Sequence, residues 1–121
     1  MRLVHIRAGG VSMLAELNDT ETAKAVAGAL PLTSTAERWG DEVYFSTPLV
    51  LPQERPTAHA APGAVAYWLP GKAICIFFGQ TPASPVDVIG SLRGNPRDFA
   101  AVKEGDAVVM RAAGEAAKTE P

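Results

Sequence analysis

A chain of 121 residues with 47 % hydrophobic and 20 % charged side chains has the make-up of one globular domain, large enough to bury about two thirds of its unfolded surface without a staple. Its formal net charge of -2 sets up no field that would gather nucleic acid or an anionic membrane, which excludes both as expected partners. The one cysteine, Cys75, has no internal disulfide partner, so the expected setting is reducing and cytoplasmic. Residues 1–17 contain Arg2, His5 and Arg7 and alternate in polarity, unlike a secretion signal, and the longest apolar run, Ala73 to Phe78, is too short for a bilayer. A soluble protein is expected.

In chain order, Leu3, Val4 and Ile6 and then Val11, Met13, Leu14 and Leu17 form two strand-like runs. Gly9-Gly10 between them predicts a hairpin. Asn18 to Thr22 is rich in N-cap residues and precedes Ala23, Val26, Ala27 and Leu30 at helical spacing, which predicts a helix over about 20–29 ended by Pro31. Leu32 to Arg38 alternates weakly and leads through Gly40 into the run Glu42 to Thr47, predicting a second hairpin. Pro48, Pro52, Pro56 and Pro62 exclude an interior strand for most of 49–62, so a long surface loop is expected there, of the kind that often carries function.

Pro62-Gly63 and Pro70-Gly71 bracket a strand ending in Tyr67, Trp68 and Leu69, and the next strand, 72–78, is the most apolar. Period-two alternation sends Ile74, Ile76 and Phe78 inward and Ala73, Cys75 and Phe77 outward. A further strand over 86–92 follows a Pro-bearing loop. A short helix opens at Asn95-Pro96, and a last strand covers 107–111. The tail 114–121 is expected to fray. About eight short strands with no repeat and no βαβ rhythm predict a mainly β fold, an antiparallel barrel closed on itself with two short α-helices at its ends, over residues 1–113.

The centre of interest is Trp39-Gly40-Asp41-Glu42-Val43-Tyr44-Phe45. On a strand, Val43 and Phe45 face one way, and Glu42 and Tyr44 the other. With Trp39 they offer a carboxylate acceptor and a phenol beside an indole. Tyr67, Trp68 and Phe77 are the aromatic candidates from the second block, whereas Phe45 and Phe78 are assigned to the core. His5 and His59 are far apart and no Cys or His pair has ligand spacing, so no metal site is expected. Cys75, inside an apolar run, reads as an inert thiol. Gly9-Gly10 and Gly40 match no phosphate-binding fingerprint, and no cofactor is expected.

The run WGDEVYFSTP, then PGAVAYWLPGKAICIFFGQTP, SPVDVIGSLRG and EGDAV, resembles the cyclophilin-like family of small, mostly uncharacterised prokaryotic proteins. The resemblance covers nearly the whole chain and implies a cyclophilin-type eight-stranded barrel with helices closing its ends. True cyclophilins are peptidyl-prolyl isomerases, and this chain departs from them. The arginine of their catalytic strand has no counterpart between Trp39 and Phe45, and Cys75 stands in place of a pocket phenylalanine. Amide rotation has a barrier of about 18–20 kcal/mol, which a cation at the prolyl nitrogen lowers by weakening delocalisation. Arg38, Arg55 and Lys72 are the candidate substitutes.

Three functions fit these residues. The first is a binding module that holds a small molecule or a proline-containing peptide in an aromatic, acidic cleft. The second is an X-Pro isomerase with a displaced cation, and the third a small-metabolite enzyme with Glu42 as base.

Overall fold

Alternation of apolar and polar residues is strongest at the start of the chain, and there it produces a hairpin. Strand β1 (Arg2–Ala8) pairs antiparallel with β2 (Val11–Leu17) from Arg2↔Leu17 to Ala8↔Val11. Gly9 takes the positive φ of 56° that the two-residue turn needs. Val4, Ile6, Ala8, Met13, Ala15 and Leu17 form one buried face. The computed structural model containing this hairpin describes residues 2–82 and 84–113, so the tail expected over 114–121 lies outside the described residues.

Helix α1 (Glu21–Gly28) follows, and its amide ends are satisfied twice. The Thr20 hydroxyl accepts from the Ala23 amide at 3.1 Å, and the Glu54 carboxylate accepts from the Glu21 and Thr22 amides at 3.2 and 3.0 Å. Ala23 and Val26 join the barrel interior. At the far end Asn95 caps a 3-10 helix (Pro96–Ala101), and Phe99 and Val102 enter the same interior cluster. Helix α1 leaves the end of β2, and the 3-10 helix leaves the end of β8 (Asp87–Leu92), which runs antiparallel to β2. The two therefore close opposite ends. The second was expected as an α-helix; with six residues opened by a proline, it stays in the tighter form.

The remaining strands are β3 (Leu32–Thr35), β4 (Glu37–Arg38), β5 (Glu42–Ser46), β6 (Ala64–Trp68), β7 (Ala73–Phe77) and β9 (Ala107–Ala112). All pairings are antiparallel, in the order β3-β9-β1-β2-β8-β6-β7-β5-β4. The two ends of that order are consecutive in the chain. Leu32–Thr35 pairs with β9 while Glu37–Arg38 pairs with β5, and between them Ala36 exchanges backbone bonds with the 105–106 turn. One bent segment thus nearly closes the barrel. Counting it as one wall gives the eight expected; counting its halves gives nine strands. The second hairpin is shorter than the sequence suggested, because the first half of Leu32–Arg38 is drawn to the other edge.

Alternation holds on the central wall. Val43, Phe45, Val65, Tyr67, Ile74, Ile76 and Phe78 face the interior. Ala66, Cys75 and Phe77 face outward yet are also buried, beneath a second layer containing Ala60 and Val86. The 49–62 segment forms no strand, but it is strapped down. Asp87 accepts from the Glu54 and Arg55 amides, Thr57 bridges to Val86, and Glu54 holds the start of α1. Among the described residues no helix is long and apolar enough to cross a membrane.

Candidate functional site

The outward face of the β5-β7-β6 wall carries the chemistry. Glu42 lies opposite Phe77 and Tyr44 opposite Cys75, while Trp68 lies opposite Ala73 on the next strand. Residues facing each other across an antiparallel pair point to the same side, so these side chains share a floor. The turn from β4 to β5 adds Trp39, and Pro82, Ser84 and Val86 complete the lining. Together they enclose a cleft of about 290 Å³, mostly apolar, opening on the outside of the barrel.

Each wall is held. The Gln80 side chain donates to the Trp39 carbonyl at 2.8 Å and accepts from the Asp41 amide at 3.0 Å, which ties the Trp39 turn to the loop after β7. The Trp68 indole N–H donates to the Ser84 hydroxyl at 2.9 Å. Tyr44 meets Trp68 edge to face, with ring centroids 6.5 Å apart. Trp39 remains 49 % exposed at the mouth.

Glu42 is 8 % exposed and lies among aromatic carbons. Burial raises its carboxyl above the ordinary value, and contact with the Cys75 thiol opposes this only in part. The Cys75 thiol is pushed far up by burial and by the Glu42 charge, which makes it an inert part of the floor. The Tyr44 hydroxyl is raised by burial first and then by Glu37, Glu42 and Glu104. Glu37 stands directly across from Tyr44 on β4 and so shares its face. Glu42 is the carboxylate that lines the cleft, and Glu37 lies on the same face one strand over.

Five of the six aromatic and acidic candidates, Trp39, Glu42, Tyr44, Trp68 and Phe77, come together in this cleft. Tyr67 does not. Its ring is 1 % exposed in the barrel interior, and its hydroxyl donates to the Leu49 carbonyl at 2.6 Å and accepts from the Leu51 amide at 3.2 Å. Its parity, opposite to that of Trp68, turns Tyr67 inward, and there its hydroxyl anchors the long loop.

None of the three cation candidates lines the cleft. Arg38 stacks over Phe78 at 5.1 Å and donates to the carbonyls of Gly40 and Val102 at 2.8 and 2.7 Å. Arg55 borders a separate hollow with Asn18, Thr20, Glu54 and Asp87. Lys72 occupies the β6–β7 turn with φ of 49°, its carbonyl accepting from the Thr47 amide and hydroxyl. Among the described residues no group of three His, Cys, Asp or Glu is placed to hold a metal ion. The residues that sequence reasoning missed are Pro82, Ser84 and Val86, whose wall is built by a loop folding back, and Glu37, which lies across from Tyr44. Only Glu37 left a signal: it shares parity with a strand opposite Tyr44.

A family model described as cyclophilin-like matches residues 2–111. The solution structure of the hypothetical protein AF2241 from Archaeoglobus fulgidus is similar at 39 % identity, covering 91 % of this chain and 93 % of that one, with a TM-score of 0.77. The structure of McbB in complex with tryptophan is similar in fold at 17 % identity and a TM-score of 0.74. That match covers 92 % of this chain and 45 % of McbB, so the chain spans less than half of McbB's length. No functionally curated protein matches. With the fold, the near-complete family match and the archaeal relative in agreement, the chain belongs to the cyclophilin-like family.

Proposed function

We propose that this protein is a binding module whose cleft on the outer barrel wall takes up a small, flat ligand. The observation that carries this reading is a carboxylate, Glu42, withdrawn from water at the floor of an otherwise aromatic cleft. A buried acid is costly to a fold unless something binds it, and aromatic surfaces with one placed polar group are what small-molecule sites offer. A volume of about 290 Å³ suits a single ring with a short side chain, since a cavity of about 150 Å³ already holds benzene. X-Pro isomerisation is the weaker reading, because the described lining supplies no cation to the prolyl nitrogen.

Both tryptophans of the chain, Trp39 and Trp68, border the cleft, so intrinsic fluorescence reports on this one place. A screen of aromatic fragments and proline-containing peptides, with tryptophan added by NMR because McbB is solved with it, tests the proposal. The expected result is saturable quenching by small aromatic compounds, with amide shifts centred on Glu42, Tyr44, Trp68 and Phe77. Exchange spectroscopy on the peptides is expected to show no acceleration. Binding that maps elsewhere, or no binding by any compound, would reject the module.

A further inference from the structure

We propose that the ligand is a monocation, an aromatic or aliphatic amine whose ammonium group meets Glu42 while its apolar body lies among Tyr44, Trp68 and Phe77. This deepens the reading of the cleft as a ligand site and rests on it. Three observations point to a cation. The acid on the floor has no cationic partner among the described lining residues, and the arginines near the β4–β5 turn are engaged elsewhere: Arg97 pairs with Asp41 at 3.0 Å, and Arg38 is bonded to carbonyls. A second acid stands close by, since Glu37 lies directly across from Tyr44 on β4 and shares its face. The walls are aromatic, and a ring face attracts a cation most strongly where water is thinned out.

An anionic ligand would be brought against the Glu42 carboxylate, and a neutral one would leave that buried acid with only the Cys75 thiol beside it. An ammonium group resolves both. It donates to the carboxylate, takes the cation–π attraction of the rings, and meets no like charge among the described lining residues. The groups on the face of Glu42 are Cys75 and Phe77 from β7, Tyr44 on its own strand, and Glu37 from β4 across from Tyr44; the thiol stays neutral throughout the working range. Amine binding should therefore weaken as pH falls and Glu42 takes up its proton, because the amine itself remains charged.

Three probes of one shape and different charge decide the matter: 2-phenylethylamine, 2-phenylethanol and 3-phenylpropionate, titrated by tryptophan quenching against the wild type and Glu42→Gln. The amine is expected to bind at least about tenfold more tightly than the alcohol, and the acid least. In Glu42→Gln the amine should lose about tenfold while the alcohol changes by less than about twofold. If the three bind the wild type alike, the cation is rejected and the module stands. If none binds, both fall. The wild-type series decides the question even where the variant does not fold.

Discussion

Replacing Tyr67 with phenylalanine removes one oxygen and leaves the ring in the barrel interior, so it isolates the hydroxyl's hold on the 49–62 loop. That oxygen donates to the Leu49 carbonyl at 2.6 Å and accepts from the Leu51 amide at 3.2 Å. A net contribution of about 1 kcal/mol per bond sums to about 2 kcal/mol; Leu49 and Leu51 are only half-buried, so water limits the penalty of leaving both groups unpaired. With a urea dependence of about 2 kcal/mol per molar, the unfolding midpoint should fall by about 1 M at unchanged slope. A thermal midpoint should drop by about 8 °C, at about 4 °C per kcal/mol for a chain of this size. Exchange of the Leu51 amide should speed up, while the cleft, on the other side of the wall, should bind aromatic probes as before. An unchanged midpoint would refute the anchoring role. Unchanged stability with altered probe binding would return Tyr67 to the cleft.

Glu42→Gln should stabilise the empty protein at neutral pH while weakening amine binding. The folded state holds the Glu42 proton above the ordinary value of 4.5, so the carboxyl's relative contribution is intact below that pH and is lost as pH rises through the folded value. The gain from glutamine should vanish near pH 4, as urea melts at two pH values would show; a variant less stable at pH 7 would contradict it. Gly90→Ala should cost about 2–3 kcal/mol, because the added methyl meets the Glu16 carbonyl where β2 and β8 share only three residue pairs. A neutral melt for that variant would mean the strands can part without penalty.

Much of the barrel was legible because period-two alternation reports which face a side chain takes, whatever lies next to it. The opposite directions of Ile74 and Cys75, or of Phe45 and Tyr44, follow from covalent geometry alone, and so does the gathering of Glu42 and Tyr44 on one side. The capping residues before α1 and the Gly9-Gly10 turn are equally local. Alternation is silent about neighbours. That Tyr67 reaches a loop carbonyl, that Leu32–Arg38 divides between two edges, that Arg38 is spent on backbone, and that Pro82 and Ser84 wall the cleft all depend on contacts distant in sequence. So does the state of Glu42: its chemical type was written in the chain, but its withdrawal from water was decided only when loops folded over the strand, since burial belongs to the assembled surface and to no segment by itself.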